Sequence, residues 1–330
     1  MRTTTHIIRA AAAWLATLGA GAAMAQAAPA QPTYPNKPVR LLVGYAAGGG
    51  TDVIARIVSQ ALGNRWSQQV VVENKSGASG MIAAEMAARS APDGYTLLLA
   101  YTPEVSINKL IFKQMSYDPL TDLQPVALVA QAPLFLVSGP KLPIQSMKDL
   151  LARGKSGEPL SYGSPGTGGQ QHLAGELLQI QGNVRTLHIP YKGAAPAVND
   201  LLGGQLDVFF SSPPVILPHV RTGKLKPLFV TSPQRSPLMP DVPSAREVGL
   251  PEFDISNWFG VFVPKGVDPA VMQKVEADLK AVLSDPGVVK RLEDQGLSAR
   301  FMPAAELRAF ITTEMAKYGE IIDKSGLARQ

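Results

Sequence analysis

Two glycine-rich segments of the chain combine the residue types that bind small anions in proteins. Residues 44–52 follow an apolar run and open a helical pattern, and residues 164–172 have similar surroundings. Glycine lets the backbone approach a ligand closely, and the free N–H groups of a helix start attract negative charge. The two segments together predict a carboxylate site. Its candidate contacts are Tyr45, Ala47, Gly48, Gly49, Thr51 and Asp52 in the first segment and Ser164, Gly166, Thr167, Gly168 and His172 in the second.

A purely structural interpretation of the first segment stays open. Tight strand-to-helix geometry alone can require glycines, and Asp52 is well placed to cap its own helix. The segment is not a P-loop, since no Gly-Lys-Ser/Thr follows it, and it is not the G-x-G-x-x-G dinucleotide fingerprint. A similar segment in each half of the chain favours the ligand interpretation, because two facing helix starts can hold one anion between them.

Further polar residues are predicted to face the same site from neighbouring elements. Thr102 ends the third apolar run of the chain, and Tyr191 and Asp207 lie beside later ones. The carboxylate of Asp207 suits a hydrogen bond to a neighbouring loop as well as to a ligand. Glu104 is placed to meet an ammonium group if the ligand carries one. For Lys192, a solvated surface position is favoured over a ligand contact.

The elements that position these residues follow from the hydrophobic pattern. Apolar runs alternate with stretches in which apolar residues recur at helical spacing, and this alternation predicts parallel βαβ units. The pattern appears once in the first half of the chain and starts again in the middle. The predicted strands cover residues 39–45, 70–73, 96–100, 160–163, 186–190, 206–210 and 228–231, and predicted helices cover 54–62, 81–88, 172–178 and 196–202, followed by a mostly helical last third.

Two α/β units in one chain predict two lobes with a cleft between them. The Pro-rich stretches 124–133 and 252–264 are the candidate connectors. The second lobe would then be an insertion in the first. We expect one lobe to comprise residues 26–128 and 253–330, and the other to comprise residues 129–252.

Residues 1–25 have the three-part layout of a secretory signal peptide. Arg2 and Arg9 precede an Ala-rich apolar run, which ends at the small-x-small sequence around Met24. We expect cleavage after Ala25 and, in a bacterium, a periplasmic protein. Removing Arg2 and Arg9 lowers the net charge from +5 to +3. No cysteine follows the site, so lipid attachment there is excluded.

Composition and motif spacing exclude several classes of function. The chain is 45% hydrophobic and 17% charged, as in soluble globular proteins, and its charge is too small to indicate nucleic-acid binding. The absence of cysteine excludes disulfide scaffolds and thiolate chemistry. The three histidines after residue 25 lack metal-site spacing. Ser164 does not fit the G-x-S-x-G elbow, since Gly163 stands one position too close. We therefore expect no enzyme, cofactor or metal; the alternative is an exported α/β hydrolase or lyase acting on a small acid.

A series of short motifs, weak singly but specific in order and spacing, runs from Tyr34 nearly to the C-terminus. With these motifs the chain resembles the tripartite tricarboxylate transporter substrate-binding proteins, the Bug family of periplasmic solute receptors. The motifs are Tyr34-Pro-Asn-Lys-Pro-Val-Arg40, Gly48-Gly49-x-x-Asp52, Val71-Val-Glu-Asn-Lys75, Pro92-Asp-Gly-Tyr-Thr-Leu97, Ser164-x-Gly166-x-Gly168 with His172, His188-x-Pro190-Tyr191-Lys192-Gly193, and Trp258-x-Gly260.

The resemblance implies a two-lobed periplasmic-binding-protein fold of type II-like α/β architecture. Each lobe would be a mainly parallel sheet flanked by helices, and two crossing strands would form the hinge. It also implies capture of a dicarboxylate, an amino acid or an aromatic acid by a monomeric receptor. The partners would be one large and one small integral membrane transporter subunit, or a sensor. This chain departs from the family pattern at Ala46-Ala47, where prolines are usual, and at Gly169, where Ser or Thr is common.

Overall fold

The computed structural model describes residues 34–327 of the chain. The chain divides into Met1–Asn36 and Lys37–Gln330, and the elements below belong to the second unit. The predicted signal peptide and its cleavage site lie outside the described residues. Among the described helices, none is both long and apolar enough to cross a membrane.

Two separate sheets confirm the predicted two-lobed α/β fold. In the described residues, the first sheet contains six strands and the second contains five. From edge to edge, the first consists of β11 (Ser298–Pro303), β4 (Leu123–Pro133), β10 (Ser256–Pro264), β3 (Thr96–Tyr101), β1 (Val39–Val43) and β2 (Val70–Asn74). The second consists of β7 (Thr186–Pro190), β6 (Leu160–Ser164), β8 (Val208–Ser211), β5 (Phe135–Ser138) and β9 (Lys226–Val230).

Both sheets are mixed, so the prediction that each is mainly parallel is wrong. The βαβ strands are parallel as expected: β1 pairs with β2 and β3, and β6 pairs with β7 and β8. The other pairs are antiparallel. The reason is the insertion of one lobe in the other, because β4 leaves the first sheet and β10 returns to it in the opposite direction.

Helices cover both sheets, and two short helical segments of other types interrupt the first lobe. These segments are a 3-10 turn at Ala78–Gly80 and a π-helical turn at Pro103–Ile107. The α-helices are α1 (Gly50–Trp66), α2 (Met81–Ala88), α3 (Asn108–Ile111), α4 (Met147–Ser156), α5 (Gln170–Gly182), α6 (Ala194–Gly203), α7 (Pro213–Arg221), α8 (Pro269–Leu283), α9 (Pro286–Glu293) and α10 (Ala304–Ser325).

The two connectors between the lobes are the predicted ones, and they lie side by side. β4 and β10 pair antiparallel along their length, with two register shifts. Just beyond them the hydroxyl of Thr231 accepts a hydrogen bond from Leu134 N (2.9 Å) and donates one to the Ile255 carbonyl (2.5 Å). Thr231 thus ties both connectors together where they enter the second sheet. The exact lobe boundaries, 26–128 with 253–330 and 129–252, stay a prediction.

The C-terminal helix α10 packs on the cores of both lobes. Its first half contributes Leu307 and Ile311 to the core of the first sheet. Its second half contributes Tyr318, Ile321 and Ile322 to the core beneath the second sheet. The predicted apolar face of the last helix is therefore present, but it is shared between two cores. Any movement of one lobe against the other must accommodate this helix.

Candidate functional site

A narrow cavity is lined by loops that follow strands of both sheets. Its volume is about 80 Å³, far below the roughly 300–1,000 Å³ of typical ligand pockets. No carboxylate side chain of the described residues lines it. The lining comprises Tyr45, Ala46, Ala47, Gly49, Gly50, Thr51, Tyr101, Pro165, Gln171, Lys192, Gly193, Ala194, Ala195, Pro196, Ser211, Ser212, Val215, Asn257 and Phe259.

Four helices, α1, α5, α6 and α7, begin at this cavity. None of their N-cap residues, Gly49, Gly169, Gly193 and Ser212, caps its helix with a side-chain hydrogen bond. The free N–H groups of a helix start carry partial positive charge, so this arrangement favours an anion. Because α7 begins with two prolines, which lack an N–H group, its donor is the Ser212 hydroxyl.

The first glycine-rich segment is held in shape by Asp52, which is buried and does not line the cavity. Its carboxylate accepts hydrogen bonds from Gly48 N (3.0 Å), Asn74 Nδ2 (3.0 Å) and Arg56 Nε (2.9 Å). Burial raises the pKa of Asp52, but these hydrogen bonds outweigh it and hold the pKa below its usual value. Gly48 has a φ of +84°, which favours glycine. Asp52 therefore shapes the loop that presents the start of α1.

Aromatic side chains form one wall of the cavity. Tyr45 meets Tyr101 edge-on, with ring centroids 5.3 Å apart, and Tyr101 stacks on Phe259 at 5.4 Å. The Tyr101 hydroxyl lies 3.0 Å from Gln171 Oε1 and 2.8 Å from Asn257 Oδ1. Burial raises the pKa of both phenols, so both stay protonated. This wall suits an apolar ligand body.

Polar groups from both lobes and one connector meet behind this wall. Asn257, on β10, donates from Nδ2 to Ser212 Oγ at 3.0 Å, while its Oδ1 faces the Tyr101 hydroxyl. Because Gln171 Oε1 also faces that hydroxyl, the Nε2 group of Gln171 is the donor available to a ligand. The cavity thus offers neutral N–H and O–H donors from several elements.

The second glycine-rich segment lies mainly against the first lobe, and it contributes Pro165 and Gln171 to the cavity lining. The Thr167 carbonyl accepts a hydrogen bond from Ser79 Oγ at 3.0 Å. A Cβ atom on Gly166 would lie 3.0 Å from Ser79 Oγ, and one on Gly168 would lie 2.8 Å from Ile111 Cδ1. These glycines therefore allow the two lobes to approach each other closely.

Behind this segment, the buried His172 and the partly buried His188 stack and form a polar cluster. The rings of His172 and His188 are 3.7 Å apart, and Ser164 Oγ lies 2.7 Å from His188 Nε2. His172 Nδ1 accepts a hydrogen bond from Gly168 N at 2.9 Å, so its proton is on Nε2, which faces Glu176. Burial, and secondarily the neighbouring His172, lowers the pKa of His188 to about 3.

The Ser164–His188 pair lacks the exposure that a hydrolase nucleophile needs. Ser164 has no solvent exposure and does not line the cavity, and its hydroxyl lies 2.6 Å from the Gly166 carbonyl. The Ser164 hydroxyl donates its hydrogen bond to the Gly166 carbonyl. His188 therefore donates a hydrogen bond from Nε2 to Ser164 Oγ. The cluster therefore fixes the 164–168 segment. In the described part of the chain, no group of three or more histidine or acidic side chains could hold a metal ion.

The remaining predicted residues also make contacts inside the protein. Thr102 Oγ1 accepts a hydrogen bond from Trp258 N at 3.1 Å and so fixes the position of β10. Tyr191 donates to Asp200 Oδ2 at 2.8 Å, and Asp207 accepts from Ser161 N and Oγ at 2.8 Å. Of the predicted ligand contacts, the structure brings Tyr45, Ala47, Gly49 and Thr51 to the cavity. Most of the others support the loops and strands around it: Gly48, Asp52, Thr102, Ser164, Gly166, Thr167, Gly168, His172 and Tyr191. Asp207 lies away from the cavity, because it binds Ser161 at the amino end of β6, whereas the cavity lies beyond the carboxyl ends of the strands.

Several cavity residues were missed by the sequence analysis. Ser211 ends strand β8 and Ser212 follows it, which places both where ligand-binding loops of α/β sheets occur. Gln171 directly precedes the predicted helix 172–178, and the sequence favours a surface position for Lys192. Asn257 carried no signal, because an amide within a connector strand does not stand out from the sequence.

Comparisons with known proteins agree with this architecture. The family model described as "Tripartite tricarboxylate transporter family receptor" matches residues 54–327. The protein BugT of Bordetella pertussis is 37% identical over 297 residues, 89% of this chain and 91% of that protein.

Two solved structures extend the agreement to three dimensions. The periplasmic binding protein BugD is 34% identical, with a TM-score of 0.85, over 90% of this chain and all of that one. Rpa4515 of R. palustris, solved with adipate, is 30% identical, with a TM-score of 0.87, over 89% of this chain and 99% of that one.

Proposed function

Since this chain belongs to the tripartite tricarboxylate transporter receptor family, we propose that it captures one small carboxylate in the cavity between its lobes and releases it unchanged. The observation that carries the proposal is the convergence of four helix starts, without side-chain caps, on a cavity that no described carboxylate lines. Neutral donors of this kind stabilise an anion without needing a buried cation.

Capture proceeds by closure of the lobes about the two connectors. The cavity of about 80 Å³ is far smaller than a typical ligand pocket, so an acid such as adipate binds only when the lobes lie farther apart than they do in this structure. In the open state the ligand meets the donors of one lobe, and closure adds those of the other. Only the hydrogen bonds that closure adds stabilise the closed state relative to the open one.

The class of ligand is a dicarboxylate, an aromatic acid or an amino acid. The aromatic wall and the uncharged donors suit an acid with an apolar body, and the related Rpa4515 was solved with adipate. The receptor acts in the periplasm after cleavage behind Ala25. There, as a monomer, it delivers its ligand to the large and small membrane subunits of a tripartite carrier, or reports to a sensor.

The test is to purify the mature chain, record its native mass spectrum, and then measure melting temperatures with individual carboxylates, including adipate. We expect one bound acid per chain and a rise in melting temperature with at least one acid, without turnover. At a ligand concentration of 100 times Kd the stabilisation is about 2.7 kcal/mol. Conversion of an acid to product would favour the hydrolase or lyase alternative, and no stabilisation by any acid would contradict the proposal.

A further inference from the structure

We infer that Lys192 forms a second anionic subsite, so that the cavity selects ligands with negative charge at both ends and rejects ligands that carry an ammonium group. This inference rests on the proposed capture of a carboxylate in this cavity. It narrows the three ligand classes to diacids, aliphatic or aromatic.

Lys192 occupies a fixed position next to the start of α6. It lines the cavity together with Gly193, Ala194 and Ala195, the N-cap and first turn of that helix. The preceding residue is anchored twice, because Tyr191 N donates to the Ser164 carbonyl and Tyr191 Oη donates to Asp200, both at 2.8 Å. An ammonium group and a helix start side by side both favour an anion.

The ammonium group of Lys192 has no ion pair or hydrogen bond within the described residues. Its side chain is exposed. Asp200, the acidic residue that binds the neighbouring Tyr191, is engaged by the Tyr191 hydroxyl. The charge of Lys192 is therefore available to a ligand carboxylate, which would replace water around it.

The other donors of the cavity are uncharged and belong to a different set of elements. The starts of α1 and α7 meet there, since a Cβ atom on Gly50 would lie 3.4 Å from Ser212 Oγ. Backbone N–H groups of Gly50 and Thr51 and the Ser212 hydroxyl suit one carboxylate. The cavity thus has two donor groups, one neutral and one charged, with alanine, proline and valine side chains among its lining.

An ammonium group on the ligand would find no counter-ion here. The carboxylate of Asp52 is occupied by Gly48, Asn74 and Arg56. Glu104 is fully buried outside the lining, and burial raises its pKa well above the usual value, so its carboxyl is neutral. A ligand ammonium group beside the Lys192 ammonium group, without a carboxylate partner, is disfavoured by repulsion between like charges.

The test uses three six-carbon acids that differ only at the far end: adipate, hexanoate and 6-aminohexanoate. The same three end groups are also compared on a five-carbon chain and on para-substituted benzoates, which cover other ligand lengths and shapes. Dissociation constants are measured by calorimetry on the mature chain, on Lys192→Gln and on Lys192→Arg. Lys224→Gln is the matched control, because Lys224 is exposed on the same lobe and does not line the cavity.

For the best-binding set, we expect the diacid to bind about tenfold more tightly than the monoacid, and the amino acid to bind most weakly. Lys192→Gln should remove the preference for the diacid while leaving the monoacid affinity unchanged. Lys192→Arg and Lys224→Gln should keep the preference. If the monoacid binds as tightly as the diacid, or Lys192→Gln keeps the preference, the inference is wrong while carboxylate capture stands. If no acid of any set binds, both fail.

Discussion

At the scale of single residues, two acidic side chains near the cavity have opposite surroundings. Asp52 accepts three hydrogen bonds and stays charged, whereas both carboxyl oxygens of the fully buried Glu104 lack a hydrogen-bond partner. Glu104 packs under Gly44 and Gly80, where Cβ atoms would lie 2.7 and 2.4 Å from its side chain. Asp52 thus shapes the loop before α1, and Glu104 adds no negative charge beneath it.

The neutral state of Glu104 predicts a pH dependence of stability. Its pKa is raised in the folded state, so the folded chain keeps a proton that the unfolded chain loses as pH rises above the usual value of 4.5. Stability therefore falls as pH rises from about 4.5 towards the folded-state pKa. Glu104→Gln, which is neutral throughout, should have the higher melting temperature at pH 8. If Glu104→Gln raised the melting temperature at pH 4 by as much as at pH 8, this explanation would be contradicted.

His188 predicts sensitivity to acid through the opposite change. Its pKa falls to about 3 in the folded state, so below pH 6.5 the unfolded chain binds a proton that the folded chain does not. Stability should therefore fall as the pH drops from 6.5 to about 3. We expect His188→Gln to lose less melting temperature than the parent between pH 7 and pH 5, by a few degrees. His219→Gln, which alters a histidine outside the cluster, is the control; an equal loss in parent and His188→Gln would refute the assignment.

At the scale of elements, the turn Ala78–Gly80 is a strained contact between the lobes. Ala78 and Ser79 have φ angles of 47° and 52°, a conformation that costs a residue other than glycine roughly 1–2 kcal/mol. Asn108 Nδ2 donates to the Ser79 carbonyl at 3.0 Å, and Ser79 Oγ donates to Thr167 O on the other lobe. The turn therefore places a hydroxyl where it forms a hydrogen bond between the two lobes.

Removing this hydroxyl should weaken ligand capture more than folding. Ser79→Ala loses one hydrogen bond of about 1 kcal/mol that forms between the lobes, which predicts about fivefold weaker binding of adipate by calorimetry. Ser90→Ala is the control, because the Ser90 hydroxyl bonds to Met86 O within the same lobe. Equal affinities of the two variants would show that the Ser79 contact does not stabilise closure.

The regular elements were predictable where the local hydrophobic pattern is clear. The strand at Thr186–Pro190 and the helix at Met81–Ala88 have the predicted bounds, and helix α5 is longer than predicted. Strand β5 was missed because its four residues form a short run next to a proline-rich connector. The π-helical turn Pro103–Ile107 has no local signal at all, since it depends on tertiary packing.

The site was predictable at the level of loops but not of contacts. Both glycine-rich segments follow strands and open helices, as the spacing indicated. Sequence alone could not show that the glycines of the second segment leave room for Ser79 and Ile111 of the other lobe. It also could not place Asn257 at the cavity, because that depends on how β10 crosses between the lobes.

At the scale of the whole molecule, the connectors and helix α10 define how the lobes can move. The connectors pair along their length and are joined at Thr231, and α10 contributes to both cores. Glu314, buried on α10, accepts hydrogen bonds from Trp258 Nε1 (3.0 Å) and Tyr318 Oη (2.8 Å). Opening is therefore expected as a limited rotation about the connectors, with the cavity at the edge that opens.

The central claim, that the ligand is held in this cavity, is tested most directly by filling the cavity. Ala195 is exposed at the second position of α6 and lines the cavity, and Ala270 is exposed at the second position of α8, outside the lining. The measurement is the dissociation constant of adipate, by calorimetry, for the mature chain, Ala195→Trp and Ala270→Trp. We predict one adipate per chain, the same constant for Ala270→Trp, and no measurable binding by Ala195→Trp despite an unchanged melting temperature without ligand. Binding by Ala195→Trp as tight as that of the parent would contradict the account.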